Sequence, residues 1–146
     1  MRDLINIVEQ LSDSDLSSVP DFLQHLVRDD GNIEVWRAIV AGPGFVEDLL
    51  PNSGIGKCWS YEEDGAIPYE GGRGIIYRLH GLMPLSSIDW NKTIELHGSG
   101  ESEIRALVNK PVILLCVDRI NLAGKTLESD LKPSIHRQMF TTGPWV

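Results

Sequence analysis

Apolar positions in this chain follow two different periods. At the start, Leu4, Ile7, Val8 and Leu11 recur at helical spacing, which predicts a helix over residues 2–11. Ser12-Asp13-Ser14-Asp15 breaks that pattern. A second short helix is predicted from residue 20 to about 28, with Phe22, Leu23, Leu26 and Val27 on one side and Pro20 suited to its first turn. Asp29-Asp30-Gly31-Asn32 reads as a turn. The pattern then becomes that of strands. Branched and aromatic residues over 33–41 predict the first one, which Gly42-Pro43-Gly44 ends. Residues 45–55 are a short amphipathic stretch closed by Pro-Asn-Ser-Gly, and 56–60 predict a short second strand. Residues 61–69 predict a helix with an acidic first turn, limited in length by Pro68. After the tight Gly71-Gly72-Arg73-Gly74 loop, strands are expected at 74–82, 93–96, 103–108 and, most clearly, 112–120. From Leu122 onward the pattern is mixed and polar.

Two helices followed mostly by strands, with one helix between, is an α+β order rather than alternating βαβ. At 146 residues and 42% hydrophobic, the chain suits a single domain over 1–146 with a real core. Composition narrows the function classes. Twenty-one acidic residues against 13 basic ones leave a formal charge of -8, which argues against broad binding to a phosphate backbone. A single nucleotide, or a nucleic acid reached by a local basic patch, stays open. Cys58 and Cys116 form no CxxC pair and lie in apolar segments, so buried thiols in a reducing compartment are expected rather than a zinc site or a disulfide scaffold. His25, His80, His97 and His136 are scattered and show no metal-ligand spacing. The first ten residues do not read as a secretory signal, and no apolar run approaches the roughly 20 residues of a membrane span. The expectation is a soluble cytoplasmic protein without a membrane partner.

Three segments offer chemistry. Arg37 lies among Val35, Ile39 and other apolar residues of the first strand. If it faces the same way as Val35 and Ile39, its guanidinium must meet an anion, because an unpaired buried charge is expensive. Its planar fork suits phosphate or carboxylate, an internal salt bridge included. Gly56-Lys57-Cys58-Trp59-Ser60 is either a core strand with Trp59 packed inside or a place where Ser60 meets a ligand or a carboxylate. Glu101-Ser102-Glu103 puts two carboxylates on one face of an extended segment, after the small-residue loop His97-Gly98-Ser99-Gly100. Such a pair is either a solvated loop or a site in which two pKa values are driven apart for acid-base work.

Arginine, hydroxyl and glutamate, in this order and each near a strand edge, resemble the arginine-serine-glutamate branch of the ADP-ribosyltransferases over about residues 33–120. The resemblance implies two small packed β-sheets forming an NAD cleft, with helices on the N-terminal side. It makes Arg37, followed by Ala38, the arginine that grips NAD. Cys58-Trp59-Ser60 becomes the motif supporting the nicotinamide-side ribose, with Ala66 where the next helix usually carries a small residue. Glu103 becomes the catalytic glutamate, and Glu101 the residue that orients the acceptor. The departure is Cys58, a thiol where the first serine of the motif commonly stands, and a weaker hydrogen-bond partner. The implied activity is cleavage of the nicotinamide glycosidic bond of NAD and transfer of ADP-ribose to a macromolecule. A protein arginine is the first expectation and a nucleic-acid acceptor stays open. The alternatives are an inactive binding module or inhibitor on the same fold, and an NAD glycohydrolase. Small size without an export signal would suit a bacterial or phage effector acting inside a cell.

Overall fold

The computed structural model describes residues 19–42, 54–63, 74–99, 102–129, 131 and 137–144. A 3-10 helix, Asp21–Leu26, follows Pro20 and buries Leu23. This is the helix expected over residues 20–28, in a tighter and shorter form. A turn then delivers the chain to the sheet. The Arg28 N–H donates to the Asn32 carbonyl at 2.8 Å, and the Asp30 carboxylate accepts from the Asn32 N–H at 3.1 Å. Gly31, at φ 79, supplies the left-handed residue that this turn requires.

The strands are β1 (Asn32–Ala41), β2 (Cys58–Ser60), β3 (Ile75–Pro84), β4 (Glu103–Arg105), β5 (Pro111–Ile120), β6 (Thr126–Glu128) and β7 (Gln138–Thr141). They join one antiparallel sheet of order β4-β2-β1-β3-β5-β6, with β7 also paired to β5. Its backbone is the pairing of three ten-residue strands, β1, β3 and β5. Their alternating apolar positions drive it: Ile33 and Val35, Tyr77 and Leu79, and Val112, Leu114 and Val117 are all buried in one cluster with Trp59 and Ile104. A bulge between His80 and Gly81 shifts the register of β3 against β5. Gly81 permits it, since a Cβ there would lie 2.9 Å from the Ile113 carbonyl oxygen.

One α-helix, α1 (Trp90–Gly98), packs beside β4. It overturns the strand expected at residues 93–96. Asp89 caps it by accepting from the Lys92 N–H at 3.1 Å, and the fully buried Thr93 accepts from the Arg105 N–H at 3.0 Å. A capping residue and one tertiary hydrogen bond outweigh the modest strand preference of Thr93 and Ile94. His97 is therefore in the last helical turn rather than opening a loop, and its ring stacks on Phe22 with centroids 4.2 Å apart.

The α+β class holds in its strand-rich, largely antiparallel form. Among the described residues every strand belongs to a single sheet, so the expected pair of small packed sheets is not found there. The strands expected at 33–41, 56–60, 74–82 and 112–120 are present within a residue or two, and the one at 103–108 ends at Arg105 with a further bridge at Ala106. The cysteines correct another expectation: both are thiols, but each is only half-buried. The predicted helix over 2–11, most of that over 61–69, Ala66 and Glu101 lie outside the described residues. No helix among the described residues is long and apolar enough to cross a membrane.

The segment before β2 is pinned to the far end of the chain. The Ile55 and Gly56 N–H groups donate to the Thr141 and Thr142 carbonyls, each at 2.9 Å. A Cβ on Gly54 would come within 2.3 Å of the Gly143 Cα, and backbone cannot yield as a side-chain tip can. Gly54→Ala should therefore cost about 1–3 kcal/mol, the usual scale of overpacking, seen as a lowered midpoint in thermal denaturation.

Candidate functional site

The sheet order puts the three sequence segments on neighbouring strands: Arg37 on β1, Cys58-Trp59-Ser60 on β2 and Glu103 on β4. Register aligns them further. Ser60 faces Glu103 across β2–β4 and Trp36 across β1–β2, while Cys58 faces Arg105. Directly opposed residues in an antiparallel pair share a face. The Tyr61 N–H donates to the Ser102 carbonyl at 3.0 Å and so clamps the chain as it enters β4.

Trp59 and Ile104 form the buried side of this pair and anchor it, both almost inaccessible. The Trp59 indole N–H donates to the Gly56 carbonyl at 2.9 Å. That bond holds the turn leading into β2. Gly56 sits there at φ +100, and a Cβ on it would lie 2.5 Å from the Arg37 guanidinium carbon. The guanidinium is thus seated against a bare backbone that only glycine can offer.

Arg37 alternates with Val35 and Ile39, both in or against the core cluster. Its Nη1 donates to the Cys58 carbonyl at 2.7 Å. The β1–β2 ladder has one matched pair, Trp36 with Ser60, and the arginine head takes up a β2 carbonyl just beyond it. Burial lowers the Arg37 pKa, while its interactions with Cys58 and the charge on Glu103 pull it back up. An arginine in such a place stays charged and is poorly hydrated, which favours an anion as its partner.

Glu103 is half-buried and is held by Arg105, whose Nε donates to its carboxylate at 2.8 Å. Burial alone would lower the Arg105 pKa, but this hydrogen bond, together with its electrostatic interactions with Cys58, Glu103 and Asp89, leaves it raised. Ser60 is buried and its hydroxyl accepts from the Glu62 N–H at 3.1 Å, closing a local turn. The Cys58 thiol is pushed up in pKa, first by burial and next by Glu103, and eased down by Arg105, Arg37 and Lys57. Around Cys58 the chain, acidic as a whole, therefore gathers three cations and one carboxylate.

Arg37, Cys58, Trp59, Ser60 and Glu103 thus lie on adjacent strands, but not on one face: Cys58, Ser60 and Glu103 share the face of Trp36, whereas Trp59 points to the core, the side of β1 that carries Arg37. Ala38 pairs with Arg78 on β3 and brings no polar group of its own. Glu101 lies outside the described residues. Trp59 is a core residue rather than a ligand platform. Arg105 and Lys57 are the residues that sequence reasoning missed. Arg105 had a visible signal, since it stands two positions after Glu103 and a strand places i and i+2 on one face. Lys57 had only its adjacency to Cys58. No known protein family, curated protein or solved structure matches the chain.

Proposed function

We propose that the chain is an NAD-dependent mono-ADP-ribosyltransferase of the arginine-serine-glutamate type. The observation carrying this is that Arg37, Ser60 and Glu103 lie on three adjacent strands, Ser60 and Glu103 on one face and Arg37 reaching the Cys58 carbonyl from the core side of β1, in a cationic corner of an acidic protein. The donor set fits the anionic part of NAD: Arg37, seated on Gly56, and Arg105 and Lys57 close by offer the charge that a pyrophosphate needs. NAD would supply the glycosidic bond that is cleaved, and its nicotinamide departs neutral. The Glu103 carboxylate would stand against the positive charge that builds on the ribose as this bond lengthens. Ser60, buried beside it, retains a hydroxyl proton to donate. The acceptor we favour is a protein arginine, oriented by Glu101.

One observation favours a second reading. The Glu103–Arg105 pair satisfies the carboxylate internally, and Cys58 replaces a stronger hydrogen-bonding hydroxyl. Both would suit a binding module that keeps the site and has lost turnover. Titration with NAD followed by product analysis separates the readings. Modified macromolecule supports transfer, free ADP-ribose supports a glycohydrolase, binding without turnover supports the module, and no binding overturns all of them.

Arg37→Lys keeps the charge and discards the fork. It should weaken NAD binding by about tenfold or more, because a point charge cannot reproduce a bidentate contact. Isothermal titration calorimetry checks it, and equal affinity would make Arg37 a purely structural residue.

A further inference from the structure

The row of opposed residues that contains Glu103, Ser60 and Trp36 continues across the sheet into His80 on β3 and Cys116 on β5. Nothing in the proposed NAD site uses these last two residues. At the strand spacing of roughly 4.8 Å, Cys116 lies about 19 Å from Glu103, so the two ends of the row are separate places.

The far end has the parts of an activated thiol. His80 Nε2 lies 2.6 Å from a Glu34 carboxylate oxygen, and His80 Nδ1 lies 3.7 Å from the Cys116 sulfur. One tautomer serves both contacts. With the proton on Nε2 donated to Glu34, the Nδ1 lone pair faces the thiol and can take its proton. The imidazole is held in place on its other sides. Trp36 stacks on it with centroids 4.8 Å apart and planes within 3°. The second Glu34 oxygen lies 3.9 Å from Arg28 Nη1. The bulge next to His80 sets how that part of β3 meets β5. Cys116 and His80 are both only partly buried. Cys58 offers the opposite environment in the same protein, with its thiol kept protonated by burial and by Glu103.

We infer that Cys116, His80 and Glu34 form a nucleophilic thiol site that takes a small peroxide. His80 accepts the Cys116 proton, and the thiolate attacks one peroxide oxygen. The S–O bond forms as the O–O bond breaks, and the departing hydroxide takes the proton from His80 to leave as water. Sulfur loses two electrons and the peroxide gains them, so the products are Cys116 sulfenic acid and water.

The test is exposure of the full chain at neutral pH to hydrogen peroxide in the presence of dimedone, with the label on each cysteine followed over time by peptide mass spectrometry. Cys116 should be labelled on the order of tenfold faster than Cys58. His80→Gln should slow Cys116 by a similar factor and leave Cys58 unchanged, with circular dichroism showing the fold retained. Glu34→Gln should slow it less, since the amide can still orient the ring. Equal labelling of the two cysteines in the unaltered protein would overturn the inference without need of any variant. An unchanged Cys116 rate in folded His80→Gln would overturn it as well. Neither result depends on whether NAD is cleaved.

Discussion

Glu103→Gln is expected to lower nicotinamide release from NAD by about a hundredfold or more, the scale of losing one electrostatic stabiliser. The substitution preserves the shape of the side chain, and its amide oxygen can still accept from Arg105 Nε, which Glu103 holds at 2.8 Å. Ile104 and Trp59, which anchor the β2–β4 pair, are untouched. The melting temperature should therefore fall by little, since the change replaces an ion pair with a hydrogen bond from the same cation to a neutral amide at a half-buried position. Loss of turnover with retained folding is the signature of a carboxylate needed for chemistry. Unchanged turnover would remove Glu103 from the mechanism. Because Arg105 competes for this carboxylate, Arg105→Ala gives an instructive contrast. If the pair restrains Glu103, activity should rise; if Arg105 holds NAD, affinity should drop.

The largest effect on stability should come from Trp59→Ala. Trp59 is among the largest fully buried side chains, 2% exposed, and it packs where β1, β2 and β4 meet. Truncating a buried tryptophan costs about 3–5 kcal/mol through lost burial and the cavity left behind. That is a large share of the roughly 5–15 kcal/mol that holds a domain folded. Urea denaturation should show a matching drop in the midpoint. Trp59→Phe separates two roles of the ring. It keeps most of the apolar contact but loses the indole N–H that donates to the Gly56 carbonyl at 2.9 Å. The cost should be about 1 kcal/mol. The turn that seats Arg37 is loosened too, so NAD binding should weaken out of proportion to the stability lost.

Local pattern was sufficient for much of this protein. The dense branched residues of 33–41 and 112–120 made strands inevitable, because such runs can bury their apolar sides only in a sheet. The alternation Val35, Arg37, Ile39 likewise placed the guanidinium on the core side of β1 before any neighbour was known. Two strands were illegible for the converse reason. β6 is exposed throughout and β7 nearly so, which leaves no buried alternation to read. They are recruited by the open edge of β5, a property of the assembled sheet. Residues 93–96 were misread because a four-residue window cannot see Asp89 capping a helix from outside it.

The site divides along the same line. Arginine, serine and glutamate were visible as residue types near strand edges, and so was the departure at Cys58. That Glu103, Ser60, Trp36, His80 and Cys116 share one row across five strands was not visible. Side-chain direction along a strand has a period of two and can be read locally. Which residue of one strand faces which of another depends on register, set by core packing between segments tens of residues apart. Glu34 and Cys116 carry no shared motif, yet both meet His80 because three long strands pair in one order and one bulge stands beside the histidine. The composition could call for an anion partner for Arg37, since a buried cation must have one. Only the paired sheet could bring Arg105 and Lys57 to the same corner.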